Sequence, residues 1–498
     1  MIRLRPVALA LLWWFAPLLS LSAVLLGLSH ETGQTLSLEQ AAPLWSDEIF
    51  YWHQAQTFAR AGLEGGYYTI NEKPAAATWS PFYAWGAFVP IVQGAWARLV
   101  GDGLGVIVQL NLVLLALATL SFAWAWQKRS SWSVALLLAV FWPLIFALPS
   151  SQQEAFHMAT ALALSGVFLR LLDGTAFPSL VWLGLAWLMA ASLSRPTWGV
   201  LLLPLLFLSG RRTLPHLIRA SLAALLSSLL SFALVDSTAA YYPSYRSVQM
   251  DSYAGGAPEK LLRYGLHSLE LLVTGPPLSL LVRGLVVILG TLGLLSAFAA
   301  VQRRAAPWEG LFHAYNLLGL LLIILFVHQT VDSHDVRVLA PHLLLSLVVL
   351  LGLRPRWGLL ACAALSSSLP WAWEDARWIV FNTDGRSAIG QAAWRGALNN
   401  ALAYDGSRRA EPWCNTLTTS FFYVYDLEYG PGLLLAVPPG LGVSYLFPDG
   451  PAPTRLSARY LMLTDEDARL WGERQALERL ASVAGGAVYL NRDSACPD

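Results

Sequence analysis

Residues 7–28 form the stretch that decides the fold, VALALLWWFAPLLSLSAVLLGL. The stretch contains no charged residue, and about 20 consecutive apolar residues span the hydrocarbon core of a membrane as a helix. Arg3 and Arg5 precede it, and no small-residue cleavage site of the Ala-x-Ala kind closes it convincingly. The stretch therefore predicts a retained first transmembrane helix rather than a removed signal peptide.

The composition of the whole chain is that of a membrane protein. Of its 498 residues, 56% are hydrophobic and only 13% are charged, which is about half the charged fraction usual in soluble proteins. The 22 tryptophans are typical of interfacial belts. A formal net charge of +1 argues against nucleic acid as a partner. We therefore expect a polytopic α-helical membrane protein.

Eleven apolar segments predict transmembrane helices, with Pro196 marking a break between the short fifth and sixth. If the N-terminus is cytoplasmic, the basic residues of the short connections all fall on the cytoplasmic side, with only Asp173 and Glu309 among them. This positive-inside pattern places the C-terminal region outside the cytoplasm. We expect the membrane to be a plasma membrane, such as a bacterial inner membrane. The segments lie near residues 7–28, 105–126, 131–149, 155–172, 177–193, 198–208, 217–235, 278–300, 311–329, 338–353 and 357–371.

Three large regions fall on the outer side of this topology, namely residues 29–104, 236–277 and 372–498. The first outer loop, residues 29–104, contains two amphipathic stretches at about 47–61 and 79–100. We expect both to lie along the membrane surface.

The C-terminal region differs in kind from the apolar part. Strand-like runs at Gly432–Val437 and Arg459–Leu463 alternate with a helical stretch at 465–484. We therefore expect a transmembrane domain at residues 1–371 and a small extracytoplasmic α/β domain at residues 372–498.

The chain has three cysteines. Cys362 lies in an apolar run and is predicted to be a small packing residue. Cys414 and Cys496 could form a disulfide if their region is outside the cytoplasm, although the sequence does not show how far apart they lie.

Asp47 and Glu48 lie just beyond the first predicted helix and admit two interpretations. Ser46 can cap a helix whose first turn carries the two acids, where negative charge meets the helix dipole. Alternatively, one carboxylate is a general base. Both can hold, because a cap fixes where a carboxylate points. We favour Asp47 as the base and Glu48 as an orienting or metal-assisting neighbour.

Lys73 is the only lysine of the first outer loop, the others being Lys128 and Lys260. It is either a solvated loop charge or a phosphate contact, since a compact ammonium group binds phosphate well. Pro74 would stiffen the loop that carries it.

A third cluster lies between the ninth and tenth segments and contains Asp332, His334, Asp335 and Arg337. Arg337 begins an apolar helix, where its guanidinium either anchors the helix, pairs with one of the aspartates, or binds a lipid phosphate bidentately. His334 shares its face if the segment is helical, which makes it a further candidate phosphate ligand. Asp332, His334 and Asp335 could hold a divalent cation, but their spacing is not diagnostic.

Two weaker candidates face the same side. Arg195, at the break after the fifth segment, could reach the same cavity and contact phosphate. Gln152, Gln153, Glu154 and His157 follow the third segment, where such residues are more typical of a simple polar turn.

The chemistry that these residues fit is transfer of a sugar from a polyprenyl-phosphate carrier. Such a transfer needs a base for the acceptor and cations that stabilise the departing phosphate. Asp47 can supply the base, and Lys73 and Arg337 the cations. The sequence has no Walker-type loop, dinucleotide fingerprint or HExxH motif, so no nucleotide-binding machinery is apparent. A single base with no evident second nucleophile favours direct displacement with inversion.

Three motifs carry a resemblance to a known superfamily. The stretch Trp45–Tyr51, WSDEIFY, resembles the first-loop Asp-Glu motif of the GT-C glycosyltransferases. Glu72-Lys73-Pro74, with a tryptophan five residues after the proline and an amphipathic helix ending at Leu-Val-Gly101, resembles the branch of aminoarabinose transferases and protein mannosyltransferases. Arg337–Pro341 resembles the Arg-x-x-x-Pro start of a late helix in the same superfamily.

The resemblance implies an integral membrane glycosyltransferase that uses a polyprenyl-phosphate-linked sugar. It gives Asp47 the role of base and Lys73 that of a contact to the carrier phosphate. The acceptor would be a glycolipid, a polysaccharide or a protein, and the donor sugar is not predicted. The main alternative is a transporter or lipid flippase, which would place charges near the membrane midplane and show repeat symmetry between its halves.

Overall fold

A computed structural model describes most of the apolar part of the chain and most of the C-terminal sheet. The described ranges are residues 4–33, 35–36, 38, 48–64, 68–72, 86–101, 103, 105–126, 131–210, 213–238, 308–326, 336–353, 412–420, 437–438, 440–446, 453–483, 486–494 and 496, with single positions at 263, 266, 267, 270, 356, 359, 362, 363, 366 and 373.

The apolar segments form helices, as their length and hydrophobicity predict. In the described ranges the helices are α1 Leu4–Thr32, α2 Glu48–Ala61, α3 Phe88–Val100, α4 Val106–Ala125, α5 Ser131–Val140, α6 Trp142–Ala147, α7 Glu154–Leu172, α8 Pro178–Ser192, α9 Leu202–Ser209, α10 Leu214–Thr238, α11 Trp308–Phe326, α12 Val336–Leu353 and α13 Asp465–Gly472.

Five described helices are long and apolar enough to cross a membrane, by length and composition. These spans are Pro6–Thr32, Val106–Ala125, Glu154–Leu172, Leu214–Val235 and Val336–Leu353.

Helix α10 shows why a bilayer is needed. Its leucines at positions 222, 226 and 230 are all exposed, with 65% of Leu226 accessible. Such an apolar stripe on a long apolar helix is suited to lipid rather than to water. The prediction of a polytopic membrane protein with a C-terminal α/β region is thus confirmed in general form, while the count of eleven helices stays a prediction.

The predicted break at Pro196 is present. Helix α8 ends at Ser192, and Pro196–Leu201 forms a 3₁₀ helix before α9 begins. Proline suits the first turn of this new segment, because the missing N–H has no partner there in any case. The predicted segments 278–300 and 357–371 fall outside the described residues, apart from single positions in the latter.

The chain divides into two compact units. One contains residues 1–38, 108–233 and 251–377, and the other contains residues 39–107, 234–250 and 378–498. The first outer loop therefore belongs largely to the unit that holds the C-terminal sheet. The domain division at residue 371 stays a prediction.

Small residues allow close helix packing within the first unit. A Cβ atom at Gly166 of α7 would lie 2.7 Å from Ala125 Cβ, and one at Gly352 of α12 would lie 2.6 Å from Leu169 Cδ2. Both distances are too short for a real Cβ contact. A side chain at Gly352 would displace the flexible end of Leu169, whereas at Gly166 the neighbour is the Cβ atom of Ala125, which cannot move without its backbone.

A six-stranded mixed sheet forms the core of the second unit. The strand order is β1-β3-β2-β4-β6-β5. Strands β1, β3, β2 and β4 run parallel to one another, β6 runs antiparallel to β4, and β5 runs antiparallel to β6. Strand β1 comes from the first outer loop, and its Ile70 lies opposite Tyr445 of β3. The strands are β1 Tyr68–Ile70, β2 Thr416–Thr419, β3 Gly442–Tyr445, β4 Tyr460–Thr464, β5 Leu477–Val483 and β6 Gly486–Asn491.

The predicted strand at Arg459–Leu463 is confirmed by β4, but the predicted helix at 465–484 is wrong in its second half. Helix α13 is capped by Thr464, whose hydroxyl accepts from Asp467 N at 3.1 Å, and it ends at Gly472. The next residues form the edge strand β5. An edge strand tolerates exposed charges such as Glu478 and Arg479, and these good helix formers account for the wrong prediction.

Helix α2 packs on the loop before β3. Gly440 N donates to Thr57 Oγ1 at 3.1 Å, and the fully buried His53 hydrogen-bonds the backbone of Val437 and Pro438. Burial lowers the pKa of His53 to about 4. The imidazole is therefore neutral in the folded protein near pH 7.

A disulfide joins Cys414, just before β2, to Cys496, after β6, across 82 residues, with Cα atoms 5.4 Å apart. The bond links the two ends of the C-terminal sheet region. Cys362 is buried and reduced, as expected of a packing residue.

Loss of the disulfide is expected to destabilise the protein. Closing a loop of 82 residues restricts the unfolded chain, which typically stabilises a protein by about 2–5 kcal/mol. The Cys414→Ser/Cys496→Ser double variant should therefore unfold at a lower temperature than the parent, whereas Cys362→Ala should keep the disulfide intact. Maleimide labelling of Cys414 and Cys496 in the folded protein without reductant would contradict the bond.

His53 is expected to make stability depend on pH. The unfolded chain binds a proton at an ordinary pKa of 6.5, whereas the folded chain binds one only at about 4. Stability is therefore lost as the pH falls from about 6.5 to about 4, by up to about 3 kcal/mol. The thermal unfolding temperature should fall over this range, less steeply in His53→Gln. His267→Gln, which removes an exposed histidine, serves as the control. An equally steep profile in His53→Gln would rule this origin out.

Candidate active site

Helix α2 begins at Glu48, which agrees with the predicted amphipathic stretch at 47–61. The Glu48 side chain is 2% exposed in the first turn, where a carboxylate is favourably placed against the helix dipole. Ser46 and Asp47 lie outside the described residues. The roles of Ser46 as cap and of Asp47 as base therefore stay predictions.

Glu72 ends the described part of the segment that leads to Lys73. Its carboxylate is 93% buried and is surrounded by donors of the C-terminal sheet. Thr418 Oγ1 donates to Oε1 at 2.5 Å, Ala458 N donates to Oε1 at 3.2 Å, and Ser457 N donates to Oε2. Burial raises the pKa of the Glu72 carboxyl, while these hydrogen bonds oppose the rise. Lys73 itself lies outside the described residues.

The backbone before Lys73 has an unusual conformation. Asn71 and Glu72 have φ values of 51° and 53°, in the left-handed region that side chains rarely adopt. Asn71 N donates to Tyr445 O at 2.7 Å, and Glu72 N donates to Ser444 Oγ at 3.0 Å. Bonds to β3 therefore offset the cost of a conformation that would otherwise be avoided.

Arg195 is held in the interior of the other compact unit. Its Nη2 lies 3.1 Å from Glu154 Oε1, and its Nη1 donates to Val338 O at 2.9 Å. Both charged side chains are buried. A single buried charge would be costly, but the opposite charges of Arg195 and Glu154 compensate each other.

Arg337 lies in the first turn of α12 with 7% of its side chain exposed. Because Arg195 bonds the carbonyl of the next residue, Val338, it lies beside the helix turn that carries Arg337. Two of the four predicted phosphate ligands are thus brought to the same helix end.

A chain of hydrogen bonds runs next to this pair. Trp198 Nε1 donates to His157 Nδ1 at 3.1 Å, so the proton of a neutral His157 is on Nε2. That nitrogen lies 3.3 Å from Ser194 Oγ, which donates to Gln153 Oε1. All the donors have an acceptor in this arrangement, which fixes the tautomer.

The aromatic ring of Trp198 continues the cluster towards α11 and α12. It stacks on His342 with ring centroids 4.5 Å apart, and His342 Nδ1 lies 2.8 Å from Asn316 Oδ1. Asn316 Nδ2 in turn donates to His342 O and Ser346 Oγ, both at 2.6 Å. Buried polar side chains therefore link α7, α11 and α12.

The predicted ligands His334, Asp332 and Asp335 lie outside the described residues. Within the described part of the chain, no group of three or more His, Cys, Asp or Glu side chains is arranged to hold a metal ion. A divalent cation at the aspartates stays a prediction.

The sequence interpretation understated residues 152–157. A simple polar turn would be solvated, whereas Gln152, Gln153, Glu154 and His157 are all buried. Glu154 is the partner of Arg195. The signal available in the sequence was the pair of opposite charges on the same predicted side of the membrane, since charges among apolar segments need partners.

The arrangement at the start of α12 can bind an anion. Arg195 is already paired with Glu154, so the attraction for an anion depends on the guanidinium of Arg337, whose buried charge acts through a low dielectric constant. The planar guanidinium also matches phosphate oxygens bidentately. The described residues thus provide positive charge suited to phosphate.

Comparison with solved structures finds distant similarity to several chains, including the following two. The crystal structure of ArnT from Cupriavidus metallidurans bound to undecaprenyl phosphate is 12% identical, with a TM-score of 0.46 over 97% of this chain and 99% of that chain. The apo oligosaccharyltransferase of Archaeoglobus fulgidus is also 12% identical, with a TM-score of 0.45 over 100% of this chain and 75% of that chain. Similarities this distant carry no inference about the activity or substrates of this chain. No protein-family model and no curated protein matches it.

Proposed function

We propose that the chain is an integral membrane glycosyltransferase that moves a sugar from a polyprenyl-phosphate donor to an extracytoplasmic acceptor. The observation that carries the proposal is the burial of Arg195 and Arg337 at one end of α12. The guanidinium of Arg337 suits the phosphate of such a carrier, and Arg195, which is paired with Glu154, lies at the same helix end. The apolar helices suit its lipid tail.

Asp47 is the proposed general base. It removes the proton from the acceptor hydroxyl or amine, and the acceptor atom attacks the anomeric carbon. The bond from that carbon to the phosphate oxygen breaks, and the phosphate leaves with the electron pair. Direct attack from the opposite face inverts the anomeric centre.

The cations have a separate role in this proposal. Negative charge grows on the phosphate as it leaves, and cations placed there lower the barrier. Lys73 and Arg337 are the proposed main contacts, with His334 and Arg195 as further ligands. Glu48 orients Asp47, and a divalent cation at Asp332 and Asp335 would add to the same stabilisation.

The location outside the cytoplasm has support of its own. The Cys414–Cys496 disulfide is typical of oxidising compartments. The predicted positive-inside pattern places the same region there. The acceptor class, whether glycolipid, polysaccharide or protein, is left open by both observations.

Replacing Asp47 by Asn is expected to remove transfer but not carrier binding. A general base typically contributes about 100-fold or more to the rate. The assay uses the full chain in nanodiscs, a panel of radiolabelled undecaprenyl-phosphate sugars and an envelope fraction as the acceptor source. Asp465→Asn, at an exposed aspartate of α13, is the matched control.

Full transfer by Asp47→Asn would show that the base is assigned wrongly. If the parent transfers none of the labelled sugars but moves a labelled carrier lipid across the membrane, the transporter or flippase alternative is correct.

Replacing Arg337 by Lys is expected to weaken undecaprenyl phosphate binding by about tenfold, because a point charge replaces a bidentate fork. Undecaprenyl phosphate, the lipid bound in the ArnT structure, is the probe. The dissociation constant in nanodiscs measures the effect. Arg469→Lys, at an exposed arginine of α13, should match the parent. An unchanged dissociation constant in Arg337→Lys would remove Arg337 from the phosphate site.

A further inference from the structure

The segment that ends at Glu72 is held by the C-terminal region at every described contact. Strand β1 pairs with β3, and the backbone N–H groups of Asn71 and Glu72 donate to Tyr445 and Ser444 of that strand. The next residue in the chain is Lys73. The direction in which the chain leaves the sheet towards Lys73 is therefore set by β3.

The carboxylate of Glu72 adds a second attachment that reaches past β3. It accepts from Thr418 in β2 and from the backbone of Ser457 and Ala458 before β4. Thr418 and Ser444 lie opposite each other in the sheet, so their side chains share a face. The side chain of Glu72 thus bonds β2 and the segment before β4, while its backbone N–H bonds β3.

The left-handed conformation of Asn71 and Glu72 shows that this position is imposed. Two successive non-glycine residues with φ near 50° are disfavoured unless the surroundings determine them. The contacts that determine them here all come from the C-terminal region. Weakening those contacts would release the backbone next to Lys73.

The part of the first outer loop that follows Asp47 is bonded to the same C-terminal region. Helix α2, which begins directly after Asp47, is bonded through Thr57 to Gly440 and through His53 to Val437 and Pro438. The C-terminal region thus contacts the helix that follows Asp47 and the segment that precedes Lys73.

We propose that the C-terminal sheet is the positioning element of the transferase site, and that Glu72 and Thr418 are positioning residues that fix Lys73 for the carrier phosphate. This inference rests on the proposed function, because it takes Lys73 to be a phosphate contact. It gives the C-terminal domain a role at the donor site. Neither Glu72 nor Thr418 touches the substrate in this account.

The test is a double-mutant cycle between Thr418 and Lys73 in the full chain in nanodiscs, with undecaprenyl phosphate as the probe. Thr418→Val removes the donor to Glu72 but keeps the side-chain shape. Alone, Thr418→Val and Lys73→Ala should each raise the dissociation constant by about tenfold. In the Lys73→Ala background Thr418→Val should have no further effect, because residues that act through one another are not additive.

Three controls separate positioning from general destabilisation. Thr416→Val changes the same residue type in the same buried strand and should bind as the parent does. Thr418→Ser keeps the hydroxyl group that Thr418→Val removes, and it should bind undecaprenyl phosphate as the parent does. Glu72→Gln should behave as Thr418→Val does, with Glu466→Gln, at an exposed position of α13, as its matched control. If Glu72→Gln does not fold, the cycle on Thr418 still decides.

The outcomes distinguish the two proposals. If Lys73→Ala leaves the dissociation constant unchanged, the phosphate contact assigned under the proposed function fails. If Lys73→Ala weakens binding but Thr418→Val does not, or if the two effects multiply, the positioning role is overturned while the proposed function stands. A loss equal in Thr416→Val and Thr418→Val would also overturn it, since the effect would then be on the strand as a whole.

Discussion

The hydrogen bonds to the Glu72 carboxylate are the interaction on which the loop segment at residues 68–72 depends. A buried carboxylate is tolerated only where donors replace the water it has lost. Here those donors are Thr418, Ser457 and Ala458, which belong to a part of the chain synthesised long after the loop. Bonds to β3 hold the strained backbone at residues 71–72 and the edge strand β1, and the buried carboxylate adds bonds to β2 and to the segment before β4. The outer loop and the C-terminal sheet are therefore best described as one structural unit.

A related constraint shapes the apolar bundle. Polar groups among apolar helices have no water to bond, so they must bond one another. The Arg195–Glu154 pair, the His157–Trp198 bond and the His342–Asn316 bond satisfy this requirement. Because each partner lies on a different segment, these bonds also fix how the segments meet. The lack of water thus makes charged side chains rare in such a bundle. It also requires each remaining charged side chain to lie next to a bonding partner.

The sequence predicted what local patterns can predict. Hydrophobic length located α1, α4, α7, α10 and α12, and proline located the break before residues 196–201. The strand-like run at Arg459–Leu463 was sufficient to identify β4. Charged helix formers misled the prediction for β5, because an edge strand accepts them. Strand β1 was not predicted at all, since three residues have no periodicity and their partner is hundreds of residues away. The importance of Glu72 and Glu154 was missed for the same reason, as each is explained by a residue distant in the chain. Asp47 and Lys73 remain predictions from motif and spacing.

The long separation between β1 and its partner strands has a consequence for biosynthesis. Glu72 and Ser444 are 372 residues apart, and ribosomes add about 5–20 residues per second. The strand that follows the first membrane helix therefore waits tens of seconds, while the rest of the bundle is inserted, before β3 exists for it to pair with. A polypeptide that terminates before residue 416 contains β1 but lacks the strands of the C-terminal sheet that hold it. Strand β1 therefore reaches its paired state only after the strands of the C-terminal sheet have been synthesised.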